Sequence, residues 1–132
     1  MELNTTRIIT DDVQRLVDFY QAITGFTADW QNELFAELHM GASTLAFQSS
    51  AVIAQLSPGA AEAASNRSVT LDFMVDDVDA LYPSLQAVVA DFVSKPTTMP
   101  WGNRSLLFRD PDGNLINFFA PASEAARERF AK

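Results

Sequence analysis

The chain has 132 residues, of which 48% are hydrophobic and 20% charged, with ten Phe, two Trp and two Tyr. That is enough apolar material for one compact domain burying roughly two-thirds of its unfolded surface. Nine basic against seventeen acidic residues give a formal charge of -8, which opposes nucleic acid and anionic membranes as partners. The absence of cysteine and the single histidine, His39, exclude a disulfide framework, a thiolate metal centre, a cysteine nucleophile and any site needing several imidazoles from one chain.

Taken in order, Thr5 to Ile9 predicts a short strand. Asp11 or Asp12 then caps a helix whose apolar residues, Val13, Leu16, Val17, Tyr20 and Ile23, fall at helical spacing, and Gly25 ends it. Short strands are expected over Thr27 to Gln31, Leu34 to Met40 and Thr44 to Gln48. From Ser49 to Arg67 the composition shifts to Ala, Ser, Pro and Gly, the pattern of a connector or of a lid over a cavity. Ser68 to Val75 is again a strand, and Asp76-Asp77-Val78 opens a helix with Val78, Leu81, Leu85, Val88 and Val89 on one stripe. Pro83 inside that stretch predicts a kink. Asp91 to Val93 reads as a brief strand, Pro96 to Pro100 as a loop, and the tail as helical from Ser123. No apolar run approaches the ~20 residues of a membrane span, and no basic patch with an apolar stretch opens the chain, so a cytoplasmic protein is the expectation.

The run from Pro100 to Phe119 reads as a hairpin around Asp110-Pro111-Asp112-Gly113, because Pro presets a type I turn, Asp accepts local backbone bonds and Gly tolerates the turn's end. A four-residue turn closed by Asp110 and Gly113 would set Arg109 opposite Asn114, Phe108 opposite Leu115 and Leu106 opposite Asn117. Arg104, Leu106, Phe108, Leu115, Asn117 and Phe119 would then share one face, with Ser105, Leu107, Ile116 and Phe118 on the other. On that reading Arg104 and Asn117 are polar exceptions on a buried face, and a ligand is one way to satisfy them.

Shifted by 65 residues, the chain overlays Asp11-Asp12-Val13 on Asp76-Asp77-Val78, Leu16 on Leu81, Ala22 on Ala87 and Thr5 on Thr70. Each half reads strand, helix and about three strands, the signature of a duplicated unit. These landmarks, "DFYQAITGF" at Asp18 to Phe26, "VDDVDALYPSLQA" at Val75 to Ala87 and "DPDGNLINFF" at Asp110 to Phe119, together resemble the vicinal oxygen chelate superfamily, which includes glyoxalase I, extradiol dioxygenases, fosfomycin-modifying enzymes and bleomycin-resistance proteins.

The resemblance implies an α+β fold: two tandem βαβββ modules with mixed sheets curling around a shared cleft. Its organisation is a single domain, 1–132, with a first module at 4–49, a connector or lid at 50–67, a second module at 68–121 and a C-terminal helical tail at 122–132. It also implies a divalent metal held by a His on each module's first strand and a Glu on a last strand. The matching residues are Thr5 and Thr70 on the first strands, Asn117 on the second module's last strand, and Ala46 and Gln48 on the first module's. Hydroxyls and carboxamides compensate a desolvated cation poorly, so no metal and no cofactor is expected, a divalent metal at that place being the alternative.

If Thr5 and Thr70 face the cleft, alternation brings Arg7 and Asp72 to the same side, and with Gln48, Arg104 and Asn117 they form a polar lining for a small ligand. Trp30, Phe35, Trp101, Phe108 and Phe119 are candidates for flat apolar walls, Trp101 foremost because Pro100 and Gly102 set it on a loop. Glu37 and His39 share a strand face and, with Asp72, are the candidates for proton transfer. No phosphate loop or nucleophile elbow is present. The expected function is metal-independent binding of a small molecule, an antibiotic or metabolite, with sequestration as its purpose; the alternative is a lyase, isomerase or dioxygenase with a non-standard metal or acid–base residues. A homodimer is expected from the resemblance.

Overall fold

The structure is a computed structural model in which residues 1–131 are described. The backbone divides into two compact units, Met1–Asn66 and a second beginning at Arg67. The fold is α+β, with one mixed sheet of four strands and another of five.

In the first unit β1 (Thr5–Thr10) leads into α1 (Val13–Thr24), followed by β2 (Asp29–Asn32), β3 (Phe35–Met40), β4 (Ser43–Ser49) and α2 (Ser50–Leu56). The sheet order is β1-β4-β3-β2, with β1 parallel to β4 and the other pairs antiparallel. Asp12 is the N-cap of α1, its carboxylate accepting the Arg15 amide at 3.0 Å, and Gly25 closes the helix in the left-handed region. The apolar stripe of α1 buries Leu16, Val17 and Tyr20 completely, along with Ala36, Leu38 and Phe47 of the sheet, and the Tyr20 and Phe47 rings lie 5.1 Å apart. The stretch expected as a connector or lid opens with α2, whose N-cap is Ser49.

In the second unit β5 (Thr70–Met74) precedes α3 (Val78–Leu85), then β6 (Asp91–Phe92), β7 (Thr97–Thr98), β8 (Asn103–Arg109), β9 (Leu115–Pro121) and α4 (Glu124–Phe130). The order is β5-β9-β8-β6, β5 running parallel to β9, with β7 also paired to β8 where a loop was expected. Asp77 caps α3 as Asp12 caps α1, accepting the Ala80 amide at 3.1 Å. The helix stops at Leu85 short of the predicted stripe. Pro83 has no amide to give to the carbonyl of Asp79, and the chain continues in tighter turns that still bury Val89 while Val88 is exposed.

The hairpin register corrects the sequence reading by one residue. Gly113 does donate its amide to the Asp110 carbonyl at 2.9 Å, but it lies in the left-handed region at φ 86, and the pair that closes the loop is Asp110 with Asn114. The loop is therefore three residues with a glycine bulge, not two. Beyond it Arg109 faces Leu115, Phe108 faces Ile116, Leu107 faces Asn117 and Leu106 faces Phe118. A slip of one residue exchanges the faces of one strand relative to the other. Leu106, Phe108, Ile116 and Phe118 are thus together, all buried, in an aromatic chain in which Phe108 and Phe118 stand 5.1 Å apart and Phe73 reaches Phe118 at 5.6 Å. Asn117 lies on the other face.

Candidate functional site

Register and alternation determine which side chains share the face of each sheet opposite its buried aromatic and aliphatic layer. In the first unit Thr5 pairs with Thr44, Arg7 with Ala46, Glu37 with Ala46 and Phe35 with Gln48, so Thr5, Arg7, Phe35, Glu37, His39 and Gln48 share that face. His39 Nδ1 is 3.2 Å from the Thr44 hydroxyl, and its Nε2 is 3.4 Å from a carboxylate oxygen of Asp29. The Gln48 side-chain oxygen is buried without a hydrogen-bond partner. Trp30, opposite Ala36, lies on the other face of this sheet.

In the second unit the corresponding face carries a cavity of about 580 Å³. Asp72, Met74, Asn103, Asn117 and Phe119 rise from adjacent strands into its wall; Trp101 enters from the loop before β8, and Arg129 and Phe130 from α4. Asp72 sits directly opposite Asn117, and Thr70 opposite Leu115. Asn103 is only 8% exposed, yet neither its side-chain oxygen nor that of Asn117 has a hydrogen-bond partner. Buried amide oxygens left unmet cost about 1 to 3 kcal/mol each. Aromatic surface surrounds them: Trp101 is 62% exposed, and the Phe119 and Phe130 rings stand 5.2 Å apart.

One glycine sets the geometry of this wall. Gly102, at φ 98, accepts at its carbonyl the amides of Ala122 and Ser123 at 2.8 and 3.0 Å, which ties the Trp101 loop to the cap of α4. Ser123 in turn accepts the Ala126 amide at 3.1 Å and starts the helix that delivers Arg129 and Phe130.

Of the residues expected to bind a ligand, the structure brings Asp72, Trp101, Asn117 and Phe119 together on this cavity, with Thr70 on the same sheet face. Thr5, Arg7 and Gln48 share a face of the first unit with Glu37 and His39. Arg104 and Phe108 do not belong to the lining. Arg104 points to the helical side, where its Nε and Nη2 donate to the two carboxylate oxygens of Asp79 on α3 at 2.9 and 2.8 Å. This pairing holds the Asp79 carboxyl below its ordinary range and raises Arg104 further, hydrogen bonding being the larger cause in both. Phe108 is buried in the aromatic layer. Both misplacements follow from the glycine bulge. The same slip hid Asn103, which in the true register shares the face of Asn117; Met74 follows from Asp72 by alternation alone, whereas Arg129 and Phe130 are placed by the course of α4.

Comparison with known proteins agrees with this geometry. The sequence profile of the Glyoxalase/Bleomycin resistance protein/Dioxygenase superfamily matches residues 2–118. The chain belongs to that superfamily. A protein of Bacillus subtilis (strain 168), YraH, is 29% identical over 125 residues, covering 90% of this chain and 98% of its own. A glyoxalase/bleomycin resistance protein/dioxygenase from Nocardioides has a similar crystal structure, with TM-score 0.78 at 26% identity over 94% of this chain and 85% of its own. A family enzyme from Burkholderia phytofirmans PsJN shares the fold, with TM-score 0.80 at 24% identity over 92% of this chain and 99% of its own.

The divalent metal implied by superfamily resemblance does not fit the residues at its expected positions. Thr5 spends its hydroxyl proton on Asn4 Oδ1 at 2.6 Å, Thr70 is an exposed hydroxyl, Ala46 has no donor, and Gln48 and Asn117 offer only neutral carboxamides. Neither unit supplies an imidazole or a carboxylate there, and neutral oxygens alone are poor compensation for a divalent ion's hydration.

Proposed function

We propose that this protein binds a small organic molecule on the open face of its second sheet and holds it with carboxamides and aromatic rings, without a metal at the superfamily's usual strand positions. The observation that carries this reading is Asn103: a side chain more than nine-tenths buried, without a partner for its oxygen, on the wall of a cavity of about 580 Å³. A cavity of this size matches small-molecule pockets, and its mixture of apolar walls with a few convergent polar groups is what such pockets use. Asn103 and Asn117 supply hydrogen-bonding edges, Asp72 an anion and Arg129 a cation, while Trp101, Phe119 and Phe130 supply flat surface. The ligand class that matches is a planar or aromatic molecule bearing amide, hydroxyl or amine donors. Sequestration of an antibiotic or metabolite needs nothing more than such a pocket, and a homodimer is part of this reading by resemblance.

The test is a thermal-shift screen of aromatic amides, thioesters and antibiotics followed by calorimetry on the hits. A ligand present at a hundredfold excess over its dissociation constant raises stability by about 2.7 kcal/mol. Asn103→Ala and Trp101→Ala are each expected to weaken the hit by about tenfold, about 1.4 kcal/mol, and EDTA to leave it unchanged. Binding that EDTA abolishes, or that neither variant affects, would reject the reading.

A second reading, an acid–base enzyme, rests on Asp72, the carboxylate on the cavity. If a bound molecule is turned over, Asp72→Asn should abolish turnover while binding persists; unchanged turnover removes Asp72 from the chemistry.

A further inference from the structure

The chain's one imidazole is not at a superfamily metal position but on β3, and it has company there. Antiparallel pairing of β2 with β3 sets Asp29 directly opposite Glu37, and His39, two residues along the same strand, falls on the same face. One ligand atom from each of the three, Asp29, Glu37 and His39, lies within 4.8 Å of the others, and among the described residues this is the one group of three or more His, Asp or Glu side chains that converges so.

Two further facts bear on what this cluster is for. Carboxylates directly opposite across two strands repel each other, and among the described residues neither Asp29 nor Glu37 has a Lys or Arg partner; their common neighbour is the neutral amide of Gln31, which donates to both at 3.2 Å. Among the described residues, no permanently charged side-chain cation therefore stands against the pair. The His39 ring, meanwhile, is oriented from behind: Nδ1 contacts the Thr44 hydroxyl at 3.2 Å, and Nε2 faces the carboxylates, 3.4 Å from Asp29. An imidazole whose far nitrogen is held by an outer partner while the near one faces carboxylates is the arrangement of a metal-ligating histidine.

We propose that Asp29, Glu37 and His39 form a divalent-cation site of the zinc, cobalt or manganese class. Two donors on one such ion, each about 2.0 to 2.2 Å from it, lie roughly 3 to 4 Å apart. The 3.4 Å between His39 Nε2 and Asp29 already has that spacing, and Glu37, whose carboxylate lies within 4.8 Å of both, is brought in by rotation of its side chain. One nitrogen and two carboxylate oxygens favour these ions over calcium, which takes oxygen alone, and over cuprous copper, which takes sulfur. Two anionic ligands neutralise the ion's charge, and the remaining coordination positions stay open to water or a ligand.

The experiment uses the full chain, free of any histidine tag and stripped with chelator, titrated with Zn²⁺ by calorimetry and with Co²⁺ by visible absorption. One equivalent is expected per chain, with affinity falling at least about tenfold in His39→Ala and in Glu37→Gln, while Asn117→Ala and Thr5→Ala bind as the parent does. Far-UV circular dichroism of the variants checks that the fold is kept. Absence of binding at millimolar Zn²⁺, equal binding by His39→Ala and Glu37→Gln, or loss on Asn117→Ala would overturn the proposal. Because the organic ligand is assigned to Asn103 and Trp101 and tested in EDTA, either proposal can fail alone.

Discussion

At the scale of single residues, Gly102 carries more of the candidate site than any side chain on it. Its φ of 98 lies where residues with a Cβ are strained, and a Cβ added there would collide with the Ser123 hydroxyl and crowd Ala126 Cβ at 3.3 Å. Strain and overpacking together put Gly102→Ala at a loss of about 2 to 4 kcal/mol in urea unfolding. Adding Ser123→Gly should return the steric part, at the cost of a few tenths for a weaker cap, but not the conformational part. A double variant no more stable than Gly102→Ala would show that the contact with Ser123 is not what matters. The Arg104–Asp79 pair makes a smaller claim, since both groups are solvent-accessible and such pairs contribute little. Its sign is nevertheless fixed. Asp79 is more acidic folded than unfolded, so its contribution is complete above the ordinary carboxylate value of about 3.9 and is lost as the pH falls through the lower folded value. The stability difference between the parent and Asp79→Asn should stay constant from neutral pH to about pH 5 and close below about pH 4; a difference that persists in acid would assign it to something other than the ion pair.

At the scale of elements, the sequence was legible wherever local chemistry dictates structure. Asp12 and Asp77 announce their helices by position and side-chain chemistry, and both accept the amide three residues on, at 3.0 and 3.1 Å. Asp12→Ala and Asp77→Ala should therefore each cost about 1 kcal/mol, while Asp76→Ala, one residue outside the cap, should stay within about 0.5 kcal/mol; urea titrations of the three variants would expose a misassigned cap if Asp76 proved the costlier. Legibility failed where a single backbone angle decides. Asp-Pro-Asp-Gly-Asn is compatible with a two-residue or a three-residue loop, and whether Gly113 enters the left-handed region is not written in the hydrophobic pattern, because both faces of β8 and β9 carry large apolar residues and each register leaves polar side chains among them. That one angle moved Arg104 and Phe108 off the site face and put Asn103 on it. The Ser50 to Leu56 helix was not legible for a related reason: none of its residues is buried, so no apolar stripe advertises it.

At the scale of the whole molecule, the 65-residue overlay showed a duplicated unit, and it took the stretches at Asp18 to Phe26, Val75 to Ala87 and Asp110 to Phe119 to carry the resemblance to the superfamily, whereas the ligand depends on side chains drawn from β5, β8, β9, α4 and a loop that no spacing rule connects. Charge is the property that belongs to the chain as a whole. A formal charge of -8 surrounds a cavity that itself holds one anion, Asp72, and one cation, Arg129. Local contacts at the cavity thus favour neither sign strongly, and discrimination between charged ligands should come from the long-range field acting on encounter. That field reaches about 30 Å at 0.01 M ionic strength but only about 3 Å at 1 M. For two probes of the same aromatic shape, one ending in a quaternary ammonium and one in a carboxylate, stopped-flow association should be at least about tenfold faster for the cation at low salt. The two rates should converge at high salt, with dissociation rates nearly unchanged throughout. Equal association rates at low salt would mean that the charges nearest the cavity, not the protein's net charge, govern its choice of ligand.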